Sequence, residues 1–344
     1  MTSLAGRGEL FVDPSTRLCR EAFAAKSRSL TPKLTSVAQA VRELIHDGDY
    51  LAIGGFGTNR IPTSVAHEIL RQGKQNLSFA GHTATHDFQI LAAGNLTGRG
   101  RTLARVDSAY IVGLEARGLS PHARRVMESG DVVVTEWTNY ALAVRLQAAA
   151  MGVPFLPSKT MLGTDTFERS AARVIECPFT KERLVALPAL SPDVAAIHVH
   201  ESDVYGNCRI RGTTVADLDL ARAARRVIVT CERLIPHEEI RREPHLTSIP
   251  FFCVDAVCEV PFGSYPGNMP GEYFSDERHL KQWLEAEKTI EDHQKFLEHF
   301  IFSSRDFTEY LDKCGGLRRM QELRQQEWLL QHRSVGTPAG GDRV

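Results

Sequence analysis

The stretch Asp47-Gly48-Asp49-Tyr50-Leu51-Ala52-Ile53-Gly54-Gly55-Phe56-Gly57-Thr58-Asn59-Arg60-Ile61-Pro62 decides how the rest of the chain is read. Tyr50 to Ile53 is an apolar run too short for a helix and suited to a buried strand. Gly54-Gly55 stops it, and Pro62 opens a helix that carries Val65, Ile69 and Leu70 and closes at Gly73. The segment is therefore strand, glycine turn, helix. Glycines in such a turn adopt backbone angles closed to other residues and let another molecule approach the amides. Successive N–H groups ahead of a helix can bind an anion or a developing oxyanion. The same residues equally suit a tight turn that binds nothing. No Gly-Lys-Ser/Thr follows, so this is not a phosphate-binding Walker loop, and the three-glycine dinucleotide spacing is absent.

Reading outward, Thr35 can cap a helix through Val37, Val41, Leu44 and Ile45 that ends at Gly48, and Leu77-Ser78-Phe79-Ala80 is a further strand stopped by Gly81. Strand-like runs recur at 108–112, 131–135, 184–187, 194–199, 226–231 and 253–260, and helical runs at 121–129, 139–151 and 216–224. This alternation predicts an α/β fold: an open, mainly parallel sheet with helices on both faces. Such sheets bind ligands beyond the carboxyl ends of their strands, which points to the loops after Ile53, Ala80 and Val112. Residues 1–34 read as an N-terminal extension outside the core, and residues 35–275 as the α/β domain. Residues 276–332 form a charge-rich helical extension, with Leu280, Trp283, Ile290, Phe296, Leu297, Phe300, Phe307 and Tyr310 as packing positions against the domain or a partner. Residues 333–344 read as a frayed, disordered tail.

Composition narrows the function. An apolar share of 42% with 24% charged residues is that of a globular protein, and a net charge of −1 gives neither a nucleic-acid footprint nor a basic membrane face. No apolar run approaches the roughly 20 residues that span a bilayer. The first residues lack the apolar core of a secretory signal. The seven cysteines (Cys19, Cys177, Cys208, Cys231, Cys253, Cys258, Cys314) include no C-x-x-C pair and read as reduced core residues of a cytoplasmic protein.

The glycine segment resembles the A-subunit signature of family I CoA-transferases: Asp-Gly, two variable residues, three apolar residues, Gly-Gly-Phe, and a proline six positions after the Phe. The usual pattern has a glycine where this chain has Arg60, and an Arg there is similar to the glutaconate-type branch. The resemblance continues through His67-Glu68-Ile69-Leu70-Arg71-Gln72-Gly73, Pro154-Phe155-Leu156-Pro157, Asp193-Val194-Ala195-Ala196-Ile197-His198, Ile228-Val229-Thr230-Cys231-Glu232, Glu238-Glu239-Ile240-Arg241-Arg242 and Cys253-Val254-Asp255-Ala256-Val257. It covers roughly residues 35–315 in order.

The resemblance implies a fold of the CoA-transferase and ribose-isomerase style and an enzyme that moves CoA between small carboxylic acids. A glutamate of a separate B (beta) subunit, in a Ser-Glu-Asn-Gly segment, forms a glutamyl-CoA thioester. No such segment occurs in these 344 residues, so the chain is expected to need that partner. Coenzyme A is then a substrate, with no permanently bound cofactor. The family's A-type chain supplies an oxyanion pocket from its Gly-Gly-Phe turn, here Gly54, Gly55 and Phe56. Asn59 and Arg60 follow at the head of the helix. A planar guanidinium there suits the free carboxylate of a dicarboxylic substrate, the alternative being a surface Arg without that role.

Other constellations carry less. His82 and His86 stand four apart, but no third ligand is spaced to help them, so no metal is expected. Gly81 and His82 remain candidates for substrate contact at a strand end. His198 and His200 alternate on a strand leading to a turn at Tyr205-Gly206-Asn207, and Cys231 beside Glu232 lacks an activating base. Glu115 and Glu136, near strand ends, could act as the base of a CoA-thioester hydrolase or ring-cleaving hydrolase on the same fold. A third reading is a non-catalytic assembly subunit.

Overall fold

The structure is a computed structural model and describes residues 4–111 and 118–333. Glu115 and the tail 334–344 lie outside the described residues. In chain order the elements are α1 (Thr16–Ala25), α2 (Val37–Leu44), β1 (Tyr50–Ile53), α3 (Thr63–Arg71), β2 (Leu77–Gly81), α4 (His86–Leu96), β3 (Leu103–Ser108), α5 (Pro121–Glu128), β4 (Val133–Glu136), α6 (Asn139–Met151), β5 (Phe155–Ser158) and α7 (Asp165–Arg169). They continue with β6 (Arg173–Glu176), β7 (Arg183–Pro188), β8 (Val194–Ser202), β9 (Cys208–Arg209), α8 (Asp217–Ala223), β10 (Arg226–Leu234), α9 (His237–Arg242), β11 (Ala256–Glu259), α10 (Glu277–Ala286), α11 (Ile290–Leu297), α12 (Phe307–Lys313) and α13 (Gly316–Arg333).

The main sheet runs β11-β10-β8-β1-β2-β3-β4, every neighbouring pair parallel, with the short β9 antiparallel to β8. Central strands β1, β2 and β8 are buried along their whole length. Their side chains divide by the two-residue period of a strand. Leu51, Ile53, Leu77, Phe79 and Ile228 join the core beneath α2 to α5, while Tyr50, Ala52, Ala80, Val227 and Val229 join the opposite core beneath α6 and α8. From β1 the chain builds outward through β2, β3 and β4. It then returns to the other side of β1 and builds through β8, β10 and β11. The order reverses between β1 and β8, and that junction is where ligands of open α/β sheets bind.

Several elements depart from the expected pattern. The strand expected at 108–112 lies at 103–108, where Arg105 and Asp107 break the apolar pattern and hide it; Val112 and the loop expected after it lie outside the described residues. Helix α4 is a further departure: it is buried from His86 to Gly94, so it shows no apolar stripe. The run at 184–187 is not in the main sheet. It is the middle strand of a small antiparallel sheet, β5-β7-β6, over its own core of Trp137, Val144, Phe167, Val185 and Leu187. Residues before Val37 include α1 and run along the domain: Gly6 and Gly8 donate to the carbonyls of Ala172 and Ser170, and Phe11 and Phe23 pack on the α6–α8 side. Helices α10 to α13, with the helical turn Glu298–Phe302 between α11 and α12, share the core of the opposite side through Trp283, Leu297, Ile301, Phe307, Tyr310 and Leu323.

Candidate functional site

The glycine turn leaves β1 at the point where the strand order reverses, and its backbone ties the two halves of the sheet together. Gly54 N–H donates to the carbonyl of Ala196 on β8 at 2.9 Å. Gly55, at φ +84°, donates instead to a side chain, the Oδ1 of Asp217 at the start of α8, at 2.8 Å. Phe56 N–H reaches the Asn59 carbonyl at 3.0 Å, and Gly57 N–H reaches the His82 carbonyl at 3.2 Å. Thr58 N–H meets no acceptor among the described residues. The glycines are sterically required: a Cβ at Gly54 would lie 2.6 Å from Asp217 Oδ1, and one at Gly55 2.5 Å from the Asn59 carbonyl oxygen. Phe56, by contrast, turns outward and is 40% exposed.

Arg60 differs most from expectation. It is fully buried, with φ +59°, a conformation that explains why glycine suits this position. Its guanidinium lies 2.6 Å from Asp217 Oδ2, donates to the Thr213 carbonyl at 2.6 Å and reaches the His198 carbonyl at 3.4 Å. With those partners inside the chain, Arg60 is turned away from any substrate carboxylate. A surface position fails for the same reason. Asn59 stays half-buried, with its side-chain oxygen unpartnered among the described residues.

The loop after β2 forms the second wall. Gly81 ends the strand, and a Cβ there would meet Asp87 Oδ2 at 3.0 Å. His82 is 6% exposed, neither ring nitrogen has a partner among the described residues, and burial pushes its pKa down to about 4. The ring is therefore neutral at ordinary pH, one nitrogen bearing a proton and the other a lone pair. Thr83, at φ +45°, is held by Asn139 at the head of α6, which accepts from Thr83 N–H at 2.9 Å and donates to its hydroxyl at 2.8 Å. Asp87, accepting from Thr85 N–H at 2.8 Å, is pushed by burial up to about 6. His86 begins α4 and contacts Gln89 Oε1, so it shares no helix face with His82. Among the described residues no three His, Cys, Asp or Glu side chains are grouped to hold a metal.

A third segment, 262–275, closes over the turn: Asn268 N–H donates to the Thr58 carbonyl at 2.9 Å, and Arg60 N–H to the Asn268 carbonyl at 3.0 Å. This segment is anchored at the end of β10. Glu232 accepts from Tyr273 Oη at 2.7 Å and from Phe262 N–H at 2.8 Å, and its Oε1 lies 2.7 Å from His198 Nε2. His198 is thus a support of that loop. His200, on the same strand, contacts the Pro270 carbonyl at 2.8 Å. Burial pushes the thiol of neighbouring Cys231 up, which leaves it unreactive. Glu136, at the end of the edge strand β4, pairs with exposed Arg169 at 2.8 Å, the solvated arrangement rather than that of a buried base.

The structure thus brings Gly54, Gly55, Phe56, Asn59, Gly81 and His82 together at the carboxyl ends of β1 and β2 and leaves Glu136 apart. Sequence reasoning missed Asp217, Asn139 and Asn268. Each acts across a long separation, 162 residues for the Gly55–Asp217 bond, so no local pattern could announce it.

The family model for coenzyme A transferase matches residues 34–260. An uncharacterized protein of Archaeoglobus fulgidus is 46% identical, over 88% of this chain and 67% of its own. The A chain of glutaconate CoA-transferase from Acidaminococcus fermentans is 34% identical, over 83% of this chain and 93% of its own. The corresponding figures for the A chain of 3-oxoadipate CoA-transferase from Pseudomonas knackmussii are 30%, 82% and 98%. The crystal structure of the Acidaminococcus glutaconate enzyme superposes with a TM-score of 0.80 at 32% identity, covering 85% of this chain and 95% of that one. A variant of the decarboxylase AibA/AibB superposes at 0.70, also with 32% identity, covering 79% and 98%.

Proposed function

The chain belongs to the coenzyme A transferase family, as a subunit of the A type, and from that premise we propose that it works with a separate B subunit to move CoA between small carboxylic acids, dicarboxylic acids foremost. What carries the reading is its near end-to-end correspondence with the A-type chain of glutaconate CoA-transferase, together with the glycine turn sitting where the strand order reverses. Two of the relatives act, by name, on dicarboxylic acyl groups.

In this reading a glutamate on the B-type partner attacks the acyl-CoA carbonyl and expels CoA thiolate, leaving an acyl–glutamyl anhydride. The thiolate returns to the glutamyl carbonyl, releases the first acid and leaves a glutamyl-CoA thioester, and the second acid reverses the sequence. Each addition places negative charge on a carbonyl oxygen, and this chain contributes the pocket that receives it. Gly54 and Gly55 hold the turn from beneath. Because the amides of Gly54, Gly55 and Phe56 already have acceptors, the oxyanion contact falls to donors still open. Among the described residues these include Thr58 N–H and the neutral His82 ring. Recognition of a distal carboxylate falls to groups other than Arg60, which is committed to Asp217.

The test is to combine the chain with its cognate B-type partner and follow labelled CoA from an acyl-CoA donor to a free dicarboxylate. Ping-pong exchange is expected, with neither chain active alone. A pair that releases only free CoA or carbon dioxide, without exchange, overturns the proposal. It would favour a second reading, thioester chemistry without transfer, for which the likeness to AibA/AibB is the support.

A further inference from the structure

Two glycines in succession leave the peptide between them free to turn its N–H to either side, since neither residue has a Cβ to clash. The turn at Gly54-Gly55 therefore needs an outside group to choose one orientation. Asp217 is that group. Its Oδ1 accepts Gly55 N–H at 2.8 Å, from a position where a Cβ on Gly54 would come within 2.6 Å of it. Asp217 is 1% exposed and lies beneath the turn beside Ile197, so it holds the amide inward, away from the open side where Phe56 emerges.

Asp217 is itself locked. Its second oxygen lies 2.6 Å from the Arg60 guanidinium, which also donates to the Thr213 carbonyl just upstream of α8. Arg60 belongs to the same turn it braces and keeps φ +59°, a backbone state that is strained for a non-glycine residue. Glycine would relieve that strain but could not reach Asp217. A buried carboxylate and a buried guanidinium are each costly alone and tolerable only as a pair, so removing either leaves the other unmatched. The two charges make one device with an end on each side of the β1–β8 junction.

We propose that Asp217, locked by Arg60, is a positioning residue for CoA transfer: it fixes the orientation of the Gly54–Gly55 peptide and so sets where Phe56 and Thr58 stand in the site. This rests on the transfer reading above. Asp217 touches no substrate and acts only through the turn.

Three forms of the assembled A–B complex decide it: wild type, Asp217→Ala, and Arg60→Met with Asp217→Asn, which removes both charges but keeps an oxygen for the Gly55 amide. Asp217→Ala is expected to lower kcat by about a hundredfold, the scale of a lost oxyanion donor, with KM for acyl-CoA within about threefold. The paired variant is expected to recover to within about threefold of wild type. Amide hydrogen exchange over 54–60 should rise about tenfold in Asp217→Ala and stay protected in the paired variant, with 50–53 unchanged in both. Should Asp217→Ala fail to assemble, the paired variant decides alone. Wild-type exchange and kcat in Asp217→Ala, or a paired variant as slow as Asp217→Ala, overturns the proposal. If the wild-type complex transfers no CoA, the transfer reading fails by itself, and the hydrogen-exchange arm still shows whether Asp217 holds the turn.

Discussion

The glycine turn and the layer beneath the C-terminal helices both bury polar side chains, and they keep them buried by opposite means. At the turn the buried groups are charged and matched: Asp217 against Arg60, with a backbone amide on the carboxylate. Beneath α10 to α12 burial favours the neutral forms of His122, His279, His293 and Glu287, although Asp276 at the head of α10 stays charged against Arg319. His86 and His293 meet the edge or face of Trp283, with ring centroids 4.6 and 4.9 Å apart, and His122 meets His293 at 4.4 Å. His67 and His279 pack on Tyr310. Burial pushes His122 and His279 down to about 4 and His293 to about 3, and pushes Glu287, which accepts from Ser120 and Trp283, up to about 7. A matched pair specifies one geometry, whereas a neutral layer gives area and leaves its stability open to protons. The turn is therefore expected to fail in rate and the layer in stability.

The largest effect expected is in the layer. Trp283 is fully buried, and Trp283→Ala should cost about 3–5 kcal/mol of unfolding free energy by denaturant titration. Transfer per folded complex should stay near wild type, and a rate loss without a stability loss would break the comparison. Next comes Gly55→Ala at the turn. Its Cβ would sit 2.5 Å from the Asn59 carbonyl oxygen at φ +84°, and kcat of the complex should fall about a hundredfold. If activity is unchanged in a normally assembled complex, the chain reads instead as a non-catalytic assembly subunit.

Acid sharpens the contrast. His122, His279 and His293 are neutral when folded and protonate near the ordinary 6.5 once unfolded, so the unfolded chain takes up more protons below that pH. Stability should be full above about 6.5 and fall as pH drops toward about 4. Glu287 and Asp87 oppose this, favouring the folded state at low pH and ceasing to do so as pH rises through about 7 and about 6, but His82 and His200, also pushed by burial down to about 4, join the three histidines on the other side. Thermal midpoints from pH 7.5 to 4.5 check the sign, and a midpoint that rises on acidification contradicts it. The smallest effect is at the second wall. His82→Ala should lower kcat/KM about tenfold, less than the loss of a sole oxyanion donor because Thr58 N–H remains to share the charge, with little change in stability.

Much of the fold was legible because its signals are local. Tyr50 to Ile53, Gly54-Gly55 and Pro62 mark strand, turn and helix within a few residues, and the alternation that follows leaves few topologies open. What escaped lacked a local signal. Helix α4 is wrapped on all sides and has no polar face to set its period. The strand at 103–108 carries Arg105 and Asp107, and only the fold shows Asp107 accepting from Tyr50, Trp137 and Arg145. In the candidate site, the glycines and His82 were legible as residues at strand ends. That Arg60 turns inward was not.

By itself the sequence determined that this is an open parallel α/β sheet with a glycine turn after its first strand, because hydrophobic period and glycine placement act over neighbours along the chain. Only the tertiary structure decided which way that turn faces. The choice lies with Asp217, far along the chain, whose carboxylate meets Gly55 and Arg60 only once β8 has docked against β1. A buried charge takes its partner from whatever the fold brings within reach, and spacing along the chain carries no record of that.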